Sequence, residues 1–251
     1  SMANTTTGAN NTAMGRSALS ANTTAGENTA VGASAGAATT TGDVNTFIGS
    51  YAGTTNTTGS SNTALGNAAL RLATTASYNT ALGREAMKTN TTGHNNTAVG
   101  YQSMFSNTTG NGRNVAVGAG SMYTNTTGYQ NVGIGYNSLR AHTTGYMNTA
   151  VGNDSLLSVT TGYENAALGH NALYFNTANH NTAMGAYAGN STTTGARNTF
   201  IGSNAGRANT TASENTAVGR NALTSNTTGS DNTAFGMNAM TTTTTGSNNV
   251  T

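Results

Sequence analysis

Asn96-Thr97-Ala98-Val99-Gly100-Tyr101-Gln102-Ser103-Met104-Phe105-Ser106-Asn107-Thr108-Thr109-Gly110 is one copy of a unit that recurs from end to end of the chain. The copies open at Asn11, Asn28, Asn45, Asn62, Asn79, Asn96, Asn114, Asn131, Asn148, Asn165, Asn181, Asn198, Asn215, Asn232 and Asn249. Neighbouring starts lie 17 residues apart, except 18 from Asn96 to Asn114 and 16 from Asn165 to Asn181. The extra residue falls at the Gly110-Asn111-Gly112-Arg113 turn, and the missing one around Asn176-Thr177-Ala178. The unit reads N-T-A-(V/I/L/M)-G-x-x-(A/S)-(L/M/G)-x-x-(N/T)-T-T-G-x-x, with positions numbered 1 to 17. A fixed period this short describes a stacked array rather than a globular enzyme domain.

Composition narrows the function classes. Only 6% of the residues are charged and the net charge is +2, too weak a field to imply nucleic acid or an anionic membrane. Asn, Thr, Gly and Ala dominate, a composition that elsewhere reads as disorder, but a disordered linker has no reason to keep register over fifteen units. There is no Cys, hence no disulfide framework and no thiolate chemistry. No apolar run approaches a membrane span and no signal peptide precedes the repeats. Ser1-Met2 reads as a cloning scar, and residues 3–251 as a continuous solenoid of about 14 coils. The chain opens mid-unit and stops early in another, so it reads as a piece of a longer fibre protein.

Seventeen residues are too few for a helical hairpin and suit a coil of two short strands and two turns, an all-β parallel β-roll or β-solenoid. Position 4 is always bulky and apolar, and position 2 is Thr, Val or Ala. The two share one strand face by its period of two, and with the small position 8 they are assigned to the coil interior. Position 3, mostly Ala, then faces outward, as does position 9, mostly Leu or Met. Every Arg, Lys, Asp and Glu falls at positions 6, 7, 10, 16 or 17, or at Arg113, marking the turns and rim.

At roughly 4.8 Å per coil, an outward stripe at position 9 would run about 70 Å over fourteen coils. That exceeds the roughly 300–600 Å² patch a soluble monomer exposes. The stripe therefore calls for another copy of the chain. The residues assigned to that interface are Leu19, Phe47, Leu70, Met87, Met104, Met122, Leu139, Leu156, Leu173, Phe200, Leu223 and Met240. Phe47 shares its coil with Gly53 and follows Gly36; Phe200 shares its coil with Gly206 and follows Gly189. Large at position 3 goes with small at position 9, which is volume compensation between chains if both face outward, or common ancestry of two duplicated coils. Asn at position 1 is expected to form a stacked ladder, and the N-T-T-G segment a turn whose Gly supplies positive φ.

The N-T-A-V-G motif, followed by a small-residue strand and a turn, resembles the head repeats of YadA-like trimeric adhesins. It is closer to phage tail-fibre proteins carrying N-T-A-x-G…A-L-x-x-N-T-T-G arrays. The resemblance covers about Asn4 to Thr251. It implies a left-handed β-roll, three chains about one axis and a role in host attachment. The unit here has 17 residues rather than the roughly 14 of the adhesin repeat, and no chaperone domain of the endosialidase type is present.

Little in the chain resembles a reaction centre. The seven acids are scattered, Asp154 and Glu164 fall at opposite turns, and glycosidases need two carboxylates a few ångströms apart. His94, His142, His170 and His180 take four different repeat positions, so they form no metal-ligand column. The GxG triplets lack the strand-loop-helix context of a dinucleotide site. No enzyme activity, metal or cofactor is therefore expected. Tyr129, Tyr146 and Tyr163 occupy position 16 of three successive coils and form either an aromatic ladder or a surface that binds a sugar or protein.

The sequence thus points to a homotrimeric shaft or head segment of a viral tail fibre, located on the virion and supporting attachment to a host glycan or protein receptor. A bacterial trimeric surface adhesin that binds host matrix or glycan is the alternative. An ice-binding solenoid is a third, resting on the recurring Thr pair at positions 13 and 14. With position 9 outward, Leu156→Asp is expected to break assembly while Asn153→Asp is tolerated, which a solution mass measurement would check.

Overall fold

The computed structural model describes residues 4–108 and 112–251. Ser1-Met2 and the first two residues of the Gly110-Asn111-Gly112-Arg113 insertion lie outside the described residues. The fold is a parallel β-solenoid with coils of about 17 residues, in two compact units, 1–129 and 130–251. In the first unit the strands are β1 (Thr12–Met14), β2 (Thr29–Val31), β3 (Thr46–Ile48), β4 (Thr63–Leu65), β5 (Thr80–Leu82), β6 (Thr97–Val99) and β7 (Val115–Val117). In the second they are β8 (Val132–Ile134), β9 (Thr149–Val151), β10 (Ala166–Leu168), β11 (Thr182–Met184), β12 (Thr199–Ile201), β13 (Thr216–Val218) and β14 (Thr233–Phe235). Within each unit, each strand pairs in parallel with the next in the chain, and like repeat positions face each other, as in Ala166↔Thr149 and Leu168↔Val151.

Among the described residues only one strand forms per coil, not two. The return side, positions 6 to 11, is a chain of turns in which left-handed residues alternate with right-handed ones. In the coil that opens at Asn148, Asp154 has φ 53°, Leu156 φ 48° and Glu164 φ 54°. Left-handed backbone costs a side-chain-bearing residue roughly 1–2 kcal/mol, yet positions 7, 9 and 17 adopt it throughout the described residues. Each is held by a neighbouring coil. The Asp154 N–H donates to Tyr136 O at 2.9 Å, Leu156 N–H to Ala172 O at 3.0 Å, and Glu164 N–H to Tyr146 O at 3.1 Å. The return side is therefore ladder-bonded like the strand side while lacking strand geometry.

Glycine is needed at position 5. Gly152 has φ 137°, and a methyl there would meet the backbone carbon of Gly169, one coil on, at 2.7 Å. The Gly of N-T-T-G works differently from expectation. Among the described residues it has no positive φ; its backbone passes close to the next coil's carbonyl, as Gly145 does to Gly162.

The alternation at positions 7 and 9 inverts the expected faces. Position 3, position 8 and position 9 all point into the coil: Ala150, Ser155 and Leu156 are fully buried. Of the twelve residues assigned to an interface between chains, Leu19, Phe47, Leu70, Met87, Met104, Met122, Leu139, Leu156, Leu173, Phe200 and Leu223 are buried within the single chain. Met240, in the last coil, is half-buried. None of these side chains forms an outward seam. Leu156→Asp would place a charge in a dry interior and disrupt the coil itself rather than an assembly.

The Phe-Gly compensation is likewise internal. A methyl on Gly36 would meet the Phe47 ring at 2.8 Å, and one on Gly53 would overlap the same ring. Phe200 stands in the same relation to Gly189, at 2.7 Å, and to Gly206. Positions 3 and 9 face each other across a narrow interior, so Ala with Leu and Phe with Gly are two ways to fill one space.

Asn side chains complete the interior. Asn148 N–H and Nδ2 both donate to Asn131 Oδ1, at 2.9 and 3.2 Å, and Nδ2 also donates to Gly162 O at 2.7 Å. Asn165 N–H in turn donates to Asn148 Oδ1 at 3.1 Å. The same pattern links Asn28, Asn45, Asn62, Asn79, Asn96 and Asn114 in the first unit. The expected ladder is present, and it lies inside the coil, where an unmade hydrogen bond costs about 1–3 kcal/mol.

The shared space predicts a rescue. Phe47→Ala alone should cost about 3–5 kcal/mol in chemical denaturation, as core Phe truncations do. Combining it with Gly36→Leu and Gly53→Leu restores the common coil and should recover most of that loss.

Candidate functional site

Once positions 3, 8 and 9 are inside, positions 2 and 4 form the outer face of the strands. In the first unit Met14, Leu65 and Leu82 are exposed along this face; in the second Ile134, Leu168, Met184, Ile201 and Phe235 are. Leu168 is 46% exposed while Leu156, at position 9 of the preceding coil, is 0% exposed. No acidic or basic residue occupies either row. Between the rows of the second unit runs an apolar groove of about 280 Å³, lined by Thr149, Val151, Ala166, Ala167, Leu168, Thr182 and Met184. Its lining includes Ala166, which stands where most coils carry Thr.

A second exterior feature is the corner where position 7 meets position 10. Lys88 Nζ pairs with Glu85 Oε1 at 2.9 Å, and Arg140 Nη1 donates to Asn137 Oδ1 at 2.7 Å. A hydrogen bond from Gln102, and then one from Lys88, hold the Glu85 carboxyl below the usual carboxylate range. Cations also cover rings here: Arg71 lies 5.3 Å from the Tyr51 ring, Lys88 5.4 Å from Phe105, and Arg207 5.3 Å from Tyr187. Such contacts stabilise by about 0.5–1 kcal/mol at exposed sites.

Position 16 holds the tyrosines singled out in the sequence. Tyr146 and Tyr163 stack with ring centroids 4.8 Å apart and planes 2° from parallel. Tyr163 meets the edge of His180 at 5.1 Å. Tyr129 is exposed and closes the first unit. Ser and His at this position can accept a rung N–H: Ser60 N–H donates to Ser77 Oγ at 3.0 Å and Ser77 N–H to His94 Nδ1 at 2.9 Å. Tyr146 turns a ring face to Tyr163.

The titratable groups do not converge. Glu164 pairs with His180 at 3.1 Å and Glu214 with Arg197 at 3.3 Å, both on the exterior. Among the described residues no three His, Asp or Glu side chains are grouped to hold a metal ion. The Thr hydroxyls at position 13 are engaged along the stack: Thr40 Oγ1 donates to Thr57 O at 3.1 Å and Thr57 Oγ1 to Thr74 O at 3.0 Å. Compared with known proteins, the chain matches no family model, no curated protein and no solved structure.

His142 is the one ionisable group of the interior among the described residues. It takes position 12, where most coils carry a buried Asn, and its Nε2 lies 3.4 Å from Asn148 Nδ2. Burial in the coil lowers its pKa from 6.5 to about 4, because an imidazolium there would lack water. The unfolded chain therefore binds a proton at higher pH than the folded one. Its effect on stability is absent above about pH 6.5 and grows as pH falls toward 4. Urea unfolding followed at pH 7 and pH 4.5 should show the native chain losing about 2–3 kcal/mol more than His142→Asn. Equal losses in the two proteins would contradict a neutral buried imidazole.

Proposed function

We propose that this chain is a structural segment of an extracellular attachment fibre, in which copies associate side by side in parallel through the outer face of their strands. Three copies about one axis, as the resemblance to tail-fibre and adhesin repeats implies, would close the structure. The observation that carries this proposal is the uncharged apolar face at positions 2 and 4, which a single chain leaves in water.

A second copy fits that face for a physical reason. The rows repeat once per coil, and only a partner with the same rise per coil can match them rung by rung without drifting out of register. Burying the exposed part of Leu or Met side chains returns about 25 cal/mol per Å² of apolar surface, summed over many coils. A chain so associated would resist local opening, because no coil can leave without breaking bonds to both neighbours. The work assigned to it is mechanical: holding a receptor-binding element away from a virion surface. A bacterial surface adhesin would use the same architecture in another setting. An ice-binding surface is less well supported, since the position 13 hydroxyls donate to rung carbonyls rather than standing free. No reaction is assigned to the segment.

Light scattering tests the proposal directly. The chain should have the mass of three copies of its 25.1 kDa protomer, and Leu168→Asp combined with Leu82→Asp should reduce it to one copy with an unchanged circular dichroism spectrum. A wild-type mass equal to one protomer would overturn side-by-side association.

A further inference from the structure

We propose that the second unit carries a saccharide-binding cleft on its lateral corner, formed by Asp154, Asn171, Tyr174, Phe175, Tyr187 and Asn190, that takes a neutral hexose unit of a surface glycan. The cleft is a shallow, open depression of about 340 Å³, wide enough for one sugar ring. It lies at positions 7, 10 and 11, not on the apolar strand face, so it goes beyond side-by-side association and stands without it.

The cleft arises from departures from the repeat. Position 7 contributes Asp154, Asn171 and Tyr187 from three successive coils, and position 10 contributes Tyr174 and Asn190. Phe175 is the only aromatic residue at position 11, where other coils carry Ala, Ser, Thr or Leu72. It is 48% exposed, and its ring meets Tyr174 edge-on at 4.6 Å. The coil that supplies both rings is the one shortened by a residue, Asn165 to His180. Tyr187 is fixed by the edge of His170 at 5.3 Å and by Arg207, 5.3 Å from its ring.

The chemistry of this lining selects its ligand. A pyranose presents an apolar face of C–H groups and an equatorial belt of hydroxyls. Aromatic rings suit the first, and planar carboxylate and carboxamide groups suit the second, because each can engage two neighbouring hydroxyls. Tyr174 and Phe175 supply the ring surface, and the Tyr187 hydroxyl, one carboxylate and two carboxamides supply the polar groups, since the Tyr187 ring is already flanked by His170 and Arg207. Asn171 Oδ1 is buried with no hydrogen-bond partner, a cost that a small rotation toward a ligand hydroxyl would remove. Asn190 Nδ2 donates to Asn171 O at 3.2 Å and ties the two coils together on that side.

Three rings and an Asp also invite comparison with a cage for a quaternary ammonium ion. Two features disfavour that occupant. The Arg207 guanidinium already lies over the Tyr187 ring, and the N–H donors of Asn171 and Asn190 have nothing to offer a permethylated cation.

Saturation-transfer NMR on the whole chain tests the cleft with methyl glycosides of glucose, galactose, mannose and N-acetylglucosamine, and with tetramethylammonium. At least one glycoside should receive saturation at its ring C–H protons. The double variant Tyr187→Asn, Phe175→Ser carries residues that other coils use at those positions, so it should keep the native circular dichroism spectrum while weakening the glycoside about tenfold or more. Three results would overturn the assignment: no response from any glycoside, a response unchanged in the double variant, or a response from tetramethylammonium alone. The mass of the assembly, read separately, is expected to be unchanged by the double variant, so the cleft and the association fail or stand independently.

Discussion

Hydrogen bonding from coil to coil is the constraint on which everything else rests. A residue such as Leu156 would not hold a left-handed backbone on its own account; it does so because its N–H is bonded to the following coil and its side chain is packed beneath it. Removing one coil would leave the left-handed positions of its neighbours unsupported and the Asn ladder open. Local conformation here is a property of the stack, and the 17-residue period is the length at which each left-handed corner finds its partner one turn away.

That dependence explains the economy of the interior. With corners at positions 7 and 9, the coil is too narrow for two rows of large side chains. It takes one large residue per turn, usually Leu or Met at position 9, set against Ala at positions 3 and 8 and flanked by Asn at positions 1 and 12. Phe47 and Phe200 move the large residue to the other wall and require Gly opposite. His142 substitutes for an interior Asn at the expense of acid tolerance. The larger β-branched and aliphatic residues at position 4 have no room inside and are left on the strand face.

The lateral corner obeys different rules. Its residues face water, so the repeat tolerates Ser, Tyr, Glu, Asn or Asp there without loss of fold, and variation can accumulate into a site. A regular scaffold thus carries an irregular corner, since changes at positions 7, 10 and 11 leave the interior and the strand face untouched.

The repeat by itself determined the stacked β-coil, its period, the placement of every charge on the rim and the Asn ladder, because each follows from spacing and side-chain chemistry. The pairing of Phe47 with Gly53 was visible too, but with both positions assigned outward it read as compensation between chains or as common ancestry, not as one shared interior. Only the tertiary structure decided which face of the strand is inside. A period of two distinguishes two faces without ranking them, and here both avoid charge. The choice was made by left-handed backbone at positions 7 and 9, adopted by Ser, Asp, Tyr, Leu and Met alike, for which no residue type is a reliable marker. For the same reason the cleft around Tyr174, Phe175 and Tyr187 had no signature in the chain: its residues come from three coils and meet only after the coils are stacked.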